Sequence, residues 1–293
     1  MTKLIYFDDD LPGITRKRSG RGWAYYDPDG GLIGDRLEKR RLNSVALPPA
    51  YIDAWFCPAP NGHILATGYD AKSRKQYRYH PDFRARQESE KYDGCITFGK
   101  LLPLVRRRVE EDLRARALTR ERAVASVVRL LDLGAVRIGN EGYAARNKSY
   151  GATTLRQRHA EVTGHTLRLR FKGKGGKSTD VNSYLRETMG EDFTAKNFRT
   201  WHASVLGFSL LAGSKDVLTI KAVLEEVAAH LGNTPAVTRK SYVHPAVIDL
   251  IGKQAEWRES LSLPRSTKWL SREERGLLAL LQDGPRAAEL LAA

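Results

Sequence analysis

The hydrophobic period of this chain changes near residue 93, and that change dictates a molecule of two differently built parts. Before it, Trp23-Ala-Tyr-Tyr is followed by the turn-forming Asp27-Pro-Asp-Gly-Gly and a second short apolar run at Leu32 and Ile33. Ala54-Trp-Phe-Cys and then Pro58-Ala-Pro-Asn-Gly-His-Ile-Leu repeat the arrangement. Short apolar runs separated by Gly, Pro and Asn read as strands joined by turns, so residues 1–92 are expected to form a small antiparallel sheet. After residue 93 the period is helical. Val124, Val127, Val128 and Leu131 recur at i, i+3, i+4 and i+7 behind a capping Thr119, and Ile220, Val223, Leu224, Val227 and Leu231 do the same behind Thr219. Between these helices, Leu167, Leu169 and Phe171 alternate with Arg168, Arg170 and Lys172, which predicts a half-buried strand with a cationic face, and Gly164 marks a hairpin before it. The expected class is therefore α+β: a β-rich N-terminal domain over 1–92 and a mainly α-helical domain over 93–293 that carries a short β-sheet. Ser271-Arg-Glu-Glu-Arg-Gly-Leu-Leu-Ala-Leu-Leu predicts one more capped amphipathic helix, assigned to packing.

The 293 residues are 41% apolar with no low-complexity tract, which is enough to build a core. No run of about 18 apolar residues occurs, and the N-terminus reads as neither a signal peptide nor a basic leader. A cytoplasmic location is expected. Cys57 and Cys95 are too few and too far apart for a metal knuckle and read as buried small hydrophobes in a reducing compartment. The net charge of +15 fits a nucleic-acid partner, or else a merely basic enzyme. Its distribution favours the former: Arg137 to Lys177 holds ten Lys or Arg against Glu141 and Glu161, more than half of the net charge.

In such a chain Tyr242, within Leu231-Gly-Asn-Thr-Pro-Ala-Val-Thr-Arg-Lys-Ser-Tyr242-Val-His-Pro245, is a candidate nucleophile for phosphate, with packing or surface hydrogen bonding as the alternative. Attack by a phenol whose ordinary pKa is about 10 needs cations around the phosphoryl oxygens and a proton for the leaving oxygen. Bidentate guanidinium suits the first need and a positioned ammonium the second. Arg137 lies between Val136 and Ile138 just after a helix, either held toward an anion or snorkelling at the surface; Lys174 lies in a glycine-rich turn; Arg199 lies where Phe198 and Trp201 mark a helix entering the core. Gly173-Lys-Gly-Gly-Lys-Ser-Thr179 is not a P-loop, because Phe171 stands where the first glycine is needed. No His-Glu-x-x-His, Cys-x-x-Cys or EF-hand pattern occurs, so no cofactor, metal or ATP is expected, and the scattered histidines read as structural.

Val136-Arg-Ile-Gly139, Lys-Gly-Lys174, Lys-Asn-Phe-Arg199-Thr-Trp and Leu-Gly-Asn233-Thr-Pro with Lys-Ser-Tyr242, in that order, resemble the type IB DNA topoisomerases, in particular their compact bacterial and poxvirus-like branch. Gln76-Tyr77-Arg-Tyr79 and the residues from Cys57 onward extend the likeness, which runs from about residue 20 to 250. The resemblance implies a C-shaped clamp around duplex DNA, monomeric and independent of ATP. It implies that Tyr242 forms a 3′-phosphotyrosyl bond, that Arg137 and Arg199 grip the nonbridging oxygens, that Lys174 is the general acid and that Asn233 donates to a phosphoryl oxygen. Gln76, Tyr77, Tyr79 and Tyr143 match DNA contacts of the family.

Two departures are visible. Asn233 stands where the viral enzymes have His, which exchanges a possible cation for a neutral donor. The 25 residues from Lys174 to Arg199 are fewer than the family leads one to expect, as if a helical segment were missing. The nearest rivals are a tyrosine recombinase, which usually has His where this chain has Lys196, and a DNA-binding protein without catalysis.

Overall fold

The computed structural model describes residues 3–163, 166–170 and 179–292. They divide into two compact units, Met1–Ser89 and Glu90–Ala293.

The first unit is built on one antiparallel sheet. Its strands are β1 Ile14–Ser19, β2 Gly22–Tyr26, β3 Ile52–Phe56, β4 Ile64–Tyr69 and β5 Lys75–Tyr79, in the order β2-β1-β3-β4-β5. Helix α1, Arg36–Ser44, is capped by Asp35, whose carboxylate accepts from the amides of Leu37 and Glu38. Its Leu42 closes over Ile14, Tyr25, Phe56 and Ala66 to make the core. The turn expected after Trp23–Tyr26 is present, but Leu32 makes only an isolated bridge to Tyr26, and the true partner of β2 is the cationic β1. Ile14-Thr-Arg-Lys-Arg-Ser buries only its first residue, so it carries no apolar alternation to read. The chain bulges between Ile52 and Trp55 of β3, with Asp53 at φ 48°.

Helix begins earlier than the sequence suggests. α2 spans Pro81–Leu113, and its first turns are so charged that Phe83 and Tyr92 are the buried residues before the apolar period sets in at Cys95, Phe98, Leu102, Val105 and Val109. There follow α3 Arg120–Gly134, α4 Glu141–Asn147, the hairpin β6 Ala160–Thr163 with β7 Thr166–Leu169, α5 Thr179–Met189, α6 Ala195–Gly213, α7 Ile220–Leu231, α8 Pro235–Ser241, α9 Pro245–Leu250, α10 Gln254–Ser260, α11 Arg272–Asp283 and α12 Ala287–Ala292. The α+β class is as expected, including the small sheet within the helical part. Thr119, Thr219 and Ser271 cap α3, α7 and α11 as predicted, and Cys57 and Cys95 are both buried and free. Phe171 and Lys172, the expected end of the cationic strand, lie outside the described residues.

α6 is the axis of this unit. It buries Phe198, Arg199, Trp201, Ser204, Phe208 and Leu211, and its apolar members join α2, α3, α7, α9 and α11 in one core. Burying a guanidinium among such neighbours is unfavourable unless its donors are satisfied, which directs attention to Arg199.

Candidate active site

Tyr242 stands at a break between two short helices. Thr234 and Pro235 start α8; Tyr242 ends it, donating its amide to Thr238 O at 3.0 Å with φ −134° and ψ −42°. Pro245 restarts the helix as α9 and keeps His244 extended, at ψ 137°. The segment is tied down from two sides. On α6, the buried Ser204 Oγ accepts the His244 amide at 2.9 Å and lies 3.4 Å from Tyr242 O. On α2, Lys91 Nζ donates to Ser241 O at 3.3 Å and the Tyr92 hydroxyl to Lys240 O at 3.3 Å. The Tyr92 ring meets His244 edge-on at 5.3 Å. The phenol of Tyr242 itself is half-buried.

Arg199 is 4% exposed. It donates from Nη1 to Ala135 O, the residue that ends α3, and from Nη2 to Leu231 O, the last residue of α7, at 2.9 Å. Its guanidinium carbon lies 5.0 Å from the centre of the Tyr242 ring. Burial pulls its pKa down while Tyr242 pushes it up, and a guanidinium stays charged regardless. Two carbonyls therefore hold a cation against the phenol.

Arg137 reaches the same place from the chain leaving α3. The amides of Ala152 and Thr153 donate to Arg137 O at 2.9 Å and Ile138 O at 2.8 Å, which pins the segment as a short backbone rung. The rung needs glycine: a Cβ on Gly151 would fall onto the Gly139 nitrogen and the Arg137 carbonyl oxygen. Gly151→Ala is expected to displace Arg137 and destabilise the fold by about 1–3 kcal/mol, as overpacking does; a denaturant midpoint equal to that of the wild type would refute it. The Arg137 Nη2 donates to Asn233 Oδ1. Asn233 is placed by Gly232, the left-handed cap of α7 at φ 61°, and by its own amide on Ala228 O at 2.9 Å.

Arg137, Arg199 and the segment from Asn233 to Tyr242, three regions far apart in sequence, thus come together: Arg137 contacts Asn233, Arg199 faces Tyr242, and the Arg137 charge acts on Arg199. Two donors here, Arg199 Nε and Asn233 Nδ2, are buried and have no hydrogen-bond partner among the described residues. Unpaired buried donors are expensive, and a phosphoryl oxygen would satisfy them. Lys174 lies outside the described residues, and so does the side chain of Tyr143. Gln76, Tyr77 and Tyr79 are on β5 of the first unit. Tyr77 and Tyr79 are about two-fifths exposed and stacked at 5.7 Å with 9° between their planes, and Gln76 Nε2 donates to Asp70 at 3.1 Å.

Sequence reasoning missed Ser204 and Tyr92 as supports of the Tyr242 segment and read His244 only as structural. His244 is buried, and desolvation lowers its pKa to about 4; Nδ1 accepts the Ala246 amide, so the folded protein favours the neutral ring. The unfolded chain takes up a proton near the ordinary value of 6.5, the folded one near 4, so this group's share of stability is present above pH 6.5 and is lost as the pH falls toward 4. The full loss is about 3 kcal/mol. His159 and His230 are shifted the same way, so the comparison must be by difference: His244→Asn is expected to flatten the wild-type fall in denaturant midpoint between pH 7 and pH 4.5, and parallel pH curves would contradict it.

Among the described residues no helix is long and apolar enough to cross a membrane. The bacterial DNA topoisomerase IB N-terminal domain matches residues 22–70. The eukaryotic DNA topoisomerase I catalytic core matches residues 80–178 and 175–262, two pieces that meet inside the short spacer before Arg199. A DNA topoisomerase 1B of Acanthamoeba polyphaga mimivirus is 28% identical over 301 residues, covering 84% of this chain and 90% of the viral protein. Because 84% of 293 residues falls well short of 301, the viral protein contains stretches with no counterpart here. A DNA topoisomerase 1 of Mycosarcoma maydis is 30% identical over 134 residues, 43% of this chain and 13% of the fungal one. With the catalytic-core match alone running through more than half of its length, the chain belongs to the type IB DNA topoisomerase family.

Proposed function

We propose that this enzyme relaxes supercoiled duplex DNA by transient cleavage of one strand at Tyr242. The observation that carries the reading is the buried Arg199 guanidinium held against the Tyr242 ring, with Arg137 paired to Asn233 beside it and Arg199 Nε and Asn233 Nδ2 left unpaired for a ligand rich in acceptor oxygens. In the reaction the phenolic oxygen forms a bond to phosphorus and the bond from phosphorus to the 5′-oxygen breaks, leaving a 3′-phosphotyrosine and a 5′-hydroxyl. Arg137 and Arg199 stabilise charge on the nonbridging oxygens. Asn233 adds a neutral donor, sufficient for a hydrogen bond though not for proton transfer. Lys174 is assigned the proton for the leaving oxygen on the resemblance of its Lys-Gly-Lys turn. One phosphodiester is exchanged for another, so resealing is the reverse step and no ATP is consumed; the cationic cluster supplies the charge that a metal would bring. The β-rich domain over 1–92 is assigned to holding the duplex, with Gln76 and the exposed Tyr77 and Tyr79 as contacts, and Tyr143 as a contact from the helical domain over 93–293.

The test is relaxation of supercoiled plasmid in EDTA without ATP, followed by a denaturant quench on end-labelled duplex. Relaxation together with protein covalently attached to the 3′ side of the nick is the expected result. Failure of the wild-type protein to relax DNA, or attachment to the 5′ side, would overturn the reading.

A further inference from the structure

Arg106 of α2 is the centre of a buried charge network that ends at the active-site helix. Its Nε and Nη2 donate to the two oxygens of Asp132 at 2.8 and 2.9 Å, and its Nη1 and Nη2 to those of Glu274 at 2.8 and 2.7 Å. Asp132 belongs to the last turn of α3 and Glu274 to the first turn of α11; both carboxylates are nearly inaccessible. Each then reaches α6. Asp132 Oδ1 lies 3.1 Å from His202 Nε2, and Glu274 Oε1 accepts from Trp201 Nε1 at 3.1 Å.

These two neighbours on α6 follow Arg199 by two and three residues. On the other side, Ala135, three residues after Asp132, supplies the carbonyl that Arg199 grips, and Arg137 stands two residues further on. The network thus fixes the end of α3 against α6, and with it the spacing between the two guanidiniums. The matched catalytic core stops at residue 262, ten residues before α11 begins.

We infer that Glu274, on a helix beyond the matched catalytic core, is a positioning residue that sets the geometry of the Arg137 and Arg199 pair through Arg106, Trp201 and His202. Burial alone would lower the Arg106 pKa, but Glu274 and Asp132 outweigh it and raise it, and burial that would raise the Asp132 carboxyl is overcome by its hydrogen bonds from His202 and Arg106, which hold it low. Buried ion pairs contribute little net stability compared with apolar groups of similar volume. What a four-way hydrogen-bonded arrangement adds is a unique registration of the helices that carry it.

The inference rests on the reading of Tyr242 as nucleophile, and its test includes the wild-type protein in the same assay. Glu274→Gln keeps the shape and an acceptor for Trp201 but removes the charge facing Arg106. It is expected to bind duplex DNA within about twofold of wild type while single-turnover cleavage slows by roughly 10- to 100-fold, the scale of a misplaced catalytic group. An all-apolar replacement, Arg106→Met with Asp132→Leu and Glu274→Leu, is expected to recover thermal stability but not rate. Glu274→Gln cleaving at wild-type rate, or the apolar triple variant regaining rate along with its melting temperature, would overturn the inference. A wild-type protein that forms no adduct would overturn the nucleophile reading and this one together.

Discussion

Tyr242→Phe is expected to bind duplex DNA as tightly as the wild-type protein and to form no covalent adduct. The ring packs against the helical core and faces the Arg199 guanidinium at 5.0 Å, and phenylalanine keeps both contacts. The backbone ties through Ser204, Lys91 and Tyr92 involve carbonyls and amides rather than the phenol, so they survive as well. Stability should change by no more than about 1 kcal/mol, the scale of one hydrogen bond. The loss of rate is of another order: removing a nucleophile that forms the covalent intermediate lowers turnover by about 10⁴-fold or more. Denaturing gels of protein trapped on labelled duplex, set beside an anisotropy titration of the same DNA, measure the two quantities separately. A trapped adduct at wild-type yield would mean that another side chain carries the phosphoryl group.

How much of this was legible in the sequence depended on how far each feature's cause extends along the chain. Thr119, Thr219 and Ser271 could be read as helix starts because a cap is closed within three residues. Core faces of α3 and α7 could be read because one apolar side repeats at the helical period. β1 could not, since Arg16, Lys17 and Arg18 hold the middle of a strand defined only by its pairing to β2 and β3. The opening of α2 was hidden by charge in the same way. Arg137, Arg199, Asn233 and Tyr242 could be singled out by their short motifs in order, and the fold joins Arg137 to Asn233 and Arg199 to Tyr242, whereas Ser204 and Glu274 carry no local mark. Ser204 meets the Tyr242 carbonyl across 38 positions and Glu274 meets Arg106 across 168, so only the folded chain brings them together.

Arg199→Ala should impair both folding and chemistry, which sets it apart from the tyrosine variant. Truncation leaves Ala135 O and Leu231 O without their charged donor in a buried place, and losing hydrogen bonds of that kind lowers stability by about 2–4 kcal/mol. Cleavage should fall by about 10²- to 10³-fold, as when a preorganised donor to a developing oxyanion is removed. Arg199→Lys separates the two effects. An ammonium satisfies one carbonyl and restores part of the melting temperature, yet it cannot hold Ala135 O and Leu231 O together as Nη1 and Nη2 do and still offer a third donor in the same plane, as the unpaired Nε would to a phosphoryl oxygen. The lysine variant should therefore melt closer to wild type than the alanine variant and still cleave at least tenfold more slowly than wild type. If lysine restored the cleavage rate in full, the planar fork would be irrelevant, and Arg199 would act as a point charge that any buried cation could replace.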